Sequence, residues 1–452
     1  MAGIFKAYDI RGAYPDEIND EIARKVGAAF VRYLSAQQIV VGRDMRLSSD
    51  GLAASFMEGA IAVGATVMDI GHCTTPLLYY SIAKGAFDGG AMITASHLAA
   101  NMNGIKLCRE QAIPLSQDAG LDKIEQMVNA GIAPSRHNDG GTYCQGSFFD
   151  EYIAKLRSFS QTHESLTVAV DVGNGMAGGE VQAVMAQMRQ WRLLPLYFVP
   201  DGRFPHHIAN PLLPETTSDL QAKVKAEDAD LGVAFDGDAD RCGFIDEKGQ
   251  RIHEDIITAL ISEHFLSKDP GATIVYDLRS SHIVPETIMK MHGKAVRSRV
   301  GHSFIKEKMR EVNADFAGEL SGHYYYRELG FIDDAMLTMI IMLNLLTHRR
   351  QPLSELVAPL QVYCASGEIN FSVQDRQAIF TTLEQHYANA KQDHLDGLTI
   401  DCHDWWFNLR QSHTEPLIRL NLEARDCDEM NRKKDEVTAL IKQADPTTRN
   451  VT

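Results

Sequence analysis

Leu166-Thr167-Val168-Ala169-Val170-Asp171-Val172-Gly173-Asn174-Gly175 is a short β-rich run that stops at an aspartate in a polar, glycine-bearing turn. An apolar run of this length suits a strand buried on both faces of an α/β sheet. The design occurs twice more. Gln38-Ile39-Val40-Val41-Gly42 runs into Arg43-Asp44-Met45-Arg46, and Ala272-Thr273-Ile274-Val275-Tyr276 runs into Asp277-Leu278-Arg279. The three aspartates are separated by 127 and 106 positions. Repetition at about domain size predicts three related α/β units.

Helices are expected between the strands, at 18–34, 148–159, 255–266, 302–312 and 333–347. One more runs from Ser49-Asp50, as its cap, through Val63, with Gly64 ending it. The apolar stretch 336–346 is too short to cross a bilayer and reads as a buried core helix. From residue 366 the pattern changes. Strands are expected at 368–373, 398–402, 405–408 and 417–422, with helices at 374–390 and 428–444 and a frayed tail at 445–452. That order suggests a smaller α+β domain. The chain therefore reads as α/β domains at 1–147, 148–254 and 255–365, and an α+β domain at 366–452.

The 452 residues are 44% hydrophobic and 23% charged, which supports ordinary packed cores. The net charge of −16, with no long Lys/Arg run, argues against nucleic acid as a partner. An anionic ligand would need a local positive island in this negative field. The seven cysteines form no C-x-x-C pair and read as reduced cytosolic thiols, not a disulfide frame or a zinc site. The first six residues hold no apolar signal segment, and no uncharged apolar run is long enough for a membrane span, so a cytoplasmic protein is expected.

Four motifs carry chemistry. In Phe235-Asp236-Gly237-Asp238-Ala239-Asp240-Arg241, a strand at 231–235 delivers three alternating aspartates. If the chain stays extended, they project to one side. Carboxylates about 5 Å apart repel by about 3 kcal/mol per pair at an effective dielectric of about 20, and a cation removes that cost. Oxygen ligands without Cys or His favour Mg²⁺ over zinc. The alternatives are a solvated acidic turn or a calcium loop, but Arg241 stands where an EF-hand needs glycine.

In Met92-Ile93-Thr94-Ala95-Ser96-His97, a serine at a strand end is placed to be a nucleophile or phosphoryl carrier, or else to cap a following helix. The G-x-S-x-G elbow of a hydrolase is absent. Lys106 adds a candidate proton-transfer group. Gly318-Glu319-Leu320-Ser321-Gly322-His323 offers groups that can bond vicinal sugar hydroxyls. Arg410-Gln411-Ser412-His413-Thr414-Glu415-Pro416, with Arg419, offers what a phosphate dianion needs, or is a solvated turn.

These motifs, in this order, resemble those of the α-D-phosphohexomutase superfamily, and most of all its bacterial phosphomannomutase/phosphoglucomutase branch. The resemblance runs from Phe5-Lys6-Ala7-Tyr8-Asp9-Ile10-Arg11-Gly12 to Arg425. It includes Asn210-Pro211-Leu212-Leu213-Pro214-Glu215 and Gly301-His302-Ser303-Phe304-Ile305-Lys306. It implies four domains around one cleft, each lending a loop, and interconversion of hexose 6- and 1-phosphates through a phosphoserine and a 1,6-bisphosphate. Ser96 would carry the phosphoryl group, and Asp236, Asp238 and Asp240 would hold one Mg²⁺ with a phosphoserine oxygen. Arg241 would orient the sugar; Glu319 and Ser321 would bind its 3- and 4-hydroxyls, with His323 nearby. Arg410, Ser412, Thr414 and Arg419 would grip the non-reacting phosphate. Arg11, Lys106, Arg279 and His302 would line the cleft, with His97, Lys106 and His302 the proton-transfer candidates. A hexose 1,6-bisphosphate would be the activator.

Two departures stand out. Leu98-Ala99-Ala100 replaces the Asn-Pro that most relatives carry after Ser-His, which frees one φ and is expected to loosen the loop. His413 replaces Asn or Gly. Three rivals share the fold: a sugar-bisphosphate synthase, a non-catalytic sugar-phosphate binder, and an aminosugar mutase, which usually carries Gln in place of Leu320.

Overall fold

The structure is a computed structural model that describes residues 3–131, 140–161, 164–188, 190–412 and 417–451. Four sheets follow one another along the chain. In the first, Gln38–Arg43 lies parallel to Thr66–His72 on one side and Gly89–Ile93 on the other. In the second, Leu166–Asp171 lies parallel to Trp191–Leu196 and Leu231–Phe235. In the third, Thr273–Asp277 lies parallel to Lys294–Ser298 and Phe316–Gly318. Each unit then adds an antiparallel strand to the last of these: Met102–Arg109, Cys242–Ile245 and Tyr324–Tyr326. The three runs that the sequence singled out are thus the central strands of three like units.

The shared aspartate has a local cause. Asp44 Oδ1 accepts the N–H of Arg46 at 3.0 Å, Asp171 Oδ1 that of Gly173 at 2.8 Å, and Asp277 Oδ1 that of Arg279 at 2.6 Å. Each carboxylate closes an Asx turn that stops the strand and redirects the chain.

Helices cover the sheets. Asp20–Leu34 begins where Asn19 accepts the N–H of Ile22, carries Asp20 and Glu21 in its first turn, and ends at Ser35 with φ +53°. The helix expected from a Ser49-Asp50 cap spans Ser49–Ala62, one residue off at each end. Ser48 precedes it without a side-chain cap bond; its hydroxyl accepts Asn103 Nδ2 at 2.8 Å, while the Ser49 hydroxyl donates to Asp44 Oδ1 at 2.5 Å. Ala335–Arg349 is capped by Asp334, is buried from Ala335 to Thr347, and packs on helices of the second and third units, as a core helix should. Among the described residues, no helix is long and apolar enough to cross a membrane.

The fourth sheet is antiparallel, in the order Lys391–Asp393, Leu398–Asp401, Trp405–Gln411, Ile418–Ala424, Cys364–Ser372, Arg449–Val451. Helices Arg376–His386 and Cys427–Ala444 complete this domain. Two expectations fail here. The tail is not frayed: Arg449–Val451 pairs with Cys364–Ser372, and Asp445 accepts the N–H groups of Gln374 and Asp375. Nor are all thiols free, since Cys364 and Cys427 form a disulfide. Strand pairing sets Cys364 opposite Ala424, three residues before Cys427, which brings the two Cα atoms to 5.2 Å.

Buried acids tie the units together. Glu180 of the second unit accepts the Thr74 hydroxyl of the first at 2.6 Å, and Asp334 of the third accepts the Tyr152 hydroxyl of the second at 2.7 Å. Burial, with help from Asp334, pushes Glu180 up to about 8. An acid whose pKa is raised on folding stabilises the protein most below its ordinary value near 4.5, and the gain is lost as pH climbs towards 8. Glu180→Gln keeps a hydrogen-bond acceptor and cannot ionise. Its melting temperature is expected to exceed that of the wild type at pH 8.5 by at least about 2 °C, with the gap closing towards pH 5. Parallel melting curves across this range would show that Glu180 does not titrate there.

Candidate active site

The topology collects the motif loops. Residues 94–101, 236–241 and 319–323 are the same connection in three units, from the last parallel strand into its antiparallel neighbour. They lie at carboxyl ends of strands, where open α/β sheets bind ligands. The fourth loop joins Trp405–Gln411 to Ile418–Ala424. Thr414 and His413 lie outside the described residues.

Ser96 leaves the buried strand Gly89–Ile93 in a turn, with no helix after it to cap. Its φ of +52° is left-handed, a conformation that costs a non-glycine residue about 1–2 kcal/mol. Its N–H donates to Thr94 Oγ1 at 2.8 Å. Its hydroxyl donates to Asp236 Oδ2 at 2.7 Å and lies 3.1 Å from His97 Nδ1. Burial, then Arg241 and Arg11, hold His97 well below the usual imidazole value.

The aspartate loop is a tight turn, not the extended segment expected. The Asp236 N–H bonds Arg241 O, the Ala239 N–H bonds Asp236 O, and Ala239 has φ +60°. The carboxylates therefore converge because the chain folds back on itself, and alternation plays no part. Oxygens of Asp236, Asp238 and Asp240 lie within 4.8 Å of one another, all buried. A Cβ at Gly237 would stand 2.5 Å from Ser96 O, so this glycine serves the approach of two loops.

Charge here is only partly compensated. Lys106 Nζ donates to Asp238 Oδ2 at 2.7 Å and Asp240 Oδ2 at 2.5 Å, and Thr75 Oγ1 donates to Asp238 Oδ2 at 2.6 Å. Burial works against Asp240, but Lys106 and His323 hold it well below the usual carboxylate range. Asp236 is pushed well up, by burial and then by Asp240 and Asp238. Among the described residues, Asp238 Oδ1 is buried with no hydrogen-bond partner. Buried carboxylates, with Asp238 Oδ1 and Asp240 Oδ1 both without a hydrogen-bond partner among the described residues and one group short of positive charge, fit a hard divalent cation.

A chain of contacts leads from Ser96 to the last loop. Asp236 Oδ2 is 3.8 Å from Arg241 Nε, which is 3.2 Å from His323 Nε2. Burial lowers His323, but Asp240 and Glu319 on either side outweigh it and raise the imidazole to about 9. Ser321 Oγ lies 2.8 Å from His323 Nδ1. Glu319 is held well down, against burial, by His323 and Arg279. Arg279 reaches Glu319 at 3.6 Å and Glu368 at 3.4 Å. Glu368 also takes Arg410 at 3.0 Å and Arg419 at 3.1 Å. Ser412 is buried, and its N–H donates to Leu417 O. Arg11 pairs with Asp9 at 2.6 Å and feels the charges of Asp238 and Asp240. His302 heads its helix with its ring 6.2 Å from that of His323, and burial holds it well below its usual value. Apart from Ser412, which its own loop places, every described candidate is thus in this one network or against it.

Four family models match in succession along the chain. They are those of the phosphoglucomutase/phosphomannomutase α/β/α domain I (residues 2–134), domain II (147–249), domain III (253–363) and C-terminal domain (368–440). The chain is 39% identical over 450 residues to a phosphomannomutase of Salmonella typhimurium, covering 97% of this chain and 99% of that one. It belongs to the phosphoglucomutase/phosphomannomutase family. A family member from Burkholderia thailandensis has a similar solved structure, with a TM-score of 0.90 and 30% identity, covering 99% of this chain and 98% of that one. The fold extends to an N-acetylphosphoglucosamine mutase of Aspergillus fumigatus, solved with GlcNAc-6P and magnesium. That likeness has a TM-score of 0.64 and 13% identity, with 98% and 96% of the two chains covered.

This candidate site holds residues to which the motifs assigned no part. Tyr8 donates to Val300 O and packs edge-on against His302. Thr75 reaches across to Asp238. Glu368 bridges three arginines. Arg46 donates to the carbonyl of Ser96. Tyr8 and Arg46 stand inside quoted stretches, but nothing in their spacing sets them apart from their neighbours. Glu368 reads only as one position of an alternating strand.

Mg²⁺ added to EDTA-treated protein is expected to raise its melting temperature, since a ligand that binds only the folded state stabilises it. Asp238→Asn should abolish the rise. A wild-type melting temperature that ignores Mg²⁺ would show that these carboxylates hold no cation.

Proposed function

We propose that this phosphohexomutase interconverts hexose 6-phosphate and hexose 1-phosphate in the cytoplasm, acting on mannose and glucose phosphates through a phosphoserine at Ser96. The observation that carries the reading is the Ser96 hydroxyl, 2.7 Å from Asp236 and joined through Arg241, His323, Glu319 and Arg279 to Glu368 and the arginines Arg410 and Arg419. One end suits a transferring phosphoryl group, the middle suits a sugar, and the other end suits a phosphate that stays put.

In the first half-reaction the free sugar hydroxyl attacks phosphoserine phosphorus. The bond from phosphorus to Ser96 Oγ breaks, the bond to the sugar oxygen forms, and a neutral histidine takes the hydroxyl proton. His97 and His302 are both held neutral by burial, whereas Lys106, braced by Asp238 and Asp240 against burial, stays charged. Lys106 therefore serves as a fixed cation beside the transferring group. The resulting 1,6-bisphosphate turns over in the cleft. Its other phosphoryl group then returns to Ser96 Oγ, and the histidinium gives its proton to the departing sugar oxygen. Mg²⁺ held by Asp236, Asp238, Asp240 and an oxygen of phosphorylated Ser96 would supply charge stabilisation for the transferred group.

Glu319 and Ser321 address the 3- and 4-hydroxyls in this reading, and His323 fixes them: its Nδ1 lies 3.3 Å from Glu319 and 2.8 Å from Ser321. Mannose and glucose differ only at C2, so a site that reads C3 and C4 accepts both. Arg410, Ser412, Thr414 and Arg419 hold the idle phosphate, and Arg279 and Arg11 line the cleft. Free hexose 1,6-bisphosphate rephosphorylates Ser96 and so acts as the activator.

Ser96→Ala is expected to lose nearly all turnover. Intact-protein mass spectrometry should find one phosphate on the wild type after treatment with glucose 1,6-bisphosphate, and none on the variant. Interconversion by the alanine variant would sink the phosphoserine mechanism. Arg410→Ala should raise KM for the 1- and 6-phosphates alike, because both use the same holding loop in turn. A charge-assisted contact is worth about 1.5–3 kcal/mol, so kcat/KM should fall roughly tenfold or more. Loss confined to one monophosphate would contradict a shared phosphate subsite.

A further inference from the structure

Arg46 lies in none of the four motif loops and is 2% exposed. All five of its guanidinium N–H groups are used. Nε donates to Asp44 Oδ2 at 3.1 Å. Nη1 donates to the carbonyls of Ala99 at 2.6 Å and Met102 at 3.0 Å. Nη2 donates to the carbonyls of Ser96 at 2.8 Å and Leu98 at 2.7 Å. One side chain thus fastens four backbone carbonyls of a seven-residue loop, and one of them belongs to the left-handed serine itself.

The mount is rigid on its other side. The Asx turn that ends Gln38–Arg43 fixes the Arg46 backbone, because Asp44 Oδ1 accepts the Arg46 N–H and Oδ2 the Nε–H. Phe204 of the second unit lies against the guanidinium, 5.1 Å from ring centre to Cζ. The middle of the loop has few means of bracing itself. No proline stands between Ser96 and Met102, so no ring fixes a φ there, and Leu98-Ala99-Ala100 has no polar side-chain atom. Apart from Arg46, its ties among the described residues are the Ser96 N–H on Thr94 Oγ1 and its hydroxyl on Asp236, the Leu98 and Met102 N–H bonds to Ala95 O and Ala99 O, the Tyr14 N–H on Asn101 O, and the pairing of Met102 with Ala13.

We infer that Arg46 is the positioning residue of the phosphoryl carrier: its guanidinium holds the 96–102 backbone so that Ser96 Oγ faces Asp236. It touches neither the sugar nor the transferred group and acts through the loop alone. In this loop without proline, the Arg46 bonds supply rigidity that no ring gives. Lysine cannot substitute, because its three donors radiate from one nitrogen and cannot reach carbonyls on both sides of a planar fork. The inference rests on Ser96 being the carrier.

The test compares wild type, Arg46→Lys and, as a control on the same strand end, Arg43→Lys. Arg43 pairs with Asp50 and Asp69 away from the loop. Two quantities are read: amide hydrogen exchange of the 96–102 segment, and kcat and KM for glucose 1-phosphate with glucose 1,6-bisphosphate present. Arg46→Lys should speed exchange of the Leu98 and Met102 amides. It should also lower kcat by about tenfold to a hundredfold, the cost of an ångström-scale misplacement, with KM within about twofold of wild type. Arg43→Lys should match the wild type in both. Unchanged exchange in Arg46→Lys overturns the inference whatever the activity, and so does a KM rise that accounts for the whole loss of kcat/KM. Absence of turnover in the wild type would overturn the proposed function instead, and the exchange comparison would still decide the role of Arg46.

Discussion

Three buried carboxylates at one turn are the constraint around which this molecule is arranged. Asp236, Asp238 and Asp240 place like charges within 4.8 Å of one another, away from water. At that separation each ionised pair repels by about 3 kcal/mol even at an effective dielectric of about 20. The second unit itself sets Arg241 3.8 Å from Asp236 and 3.9 Å from Asp240, and the closer partners come from its neighbours. Lys106, Thr75 and Ser96 come from the first unit, and His323 from the third. The cluster therefore stands where three units are pressed together.

One topological device puts them there. In each α/β unit the strand that carries the functional loop lies next to the central strand and is followed by an antiparallel return. The loops at 94–101, 236–241 and 319–323 are equivalent positions of one design. They differ in chemistry because loops vary freely on a conserved scaffold. Each central strand ends in the same Asx turn, and the repeated aspartate is its trace in the sequence.

Polarity is divided along this chain of contacts. The aspartates dominate one end. At the other, Arg279, Arg410 and Arg419 gather on Glu368, a positive island in a chain of net charge −16. Glu368 offsets the mutual repulsion of the arginines, as a bound phosphate dianion would. His323 lies between the two ends and ties them, with Asp240 on one side and Glu319 on the other.

The sequence by itself determined the three-unit repeat, the chemistry of each loop and the buried helix Ala335–Arg349, because these depend on periodicity, residue type and local turns. Strand ends such as Leu231–Phe235 were legible for the same reason. Contacts between residues far apart in the chain were not. Asp236 to Asp240 converge through a tight turn where alternation suggests an extended chain. The tail became a sheet edge because Cys364–Ser372 had an unpaired side to offer. Cys364 met Cys427 because strand register carried it there. Arg43 and Arg46 look alike in the sequence, yet one faces Asp50 and Asp69 while the other is turned beneath the Ser96 loop. Only the tertiary structure decides such cases, since a side chain's role follows from which distant backbone its donors can reach, and residue type sets the donors without setting the reach.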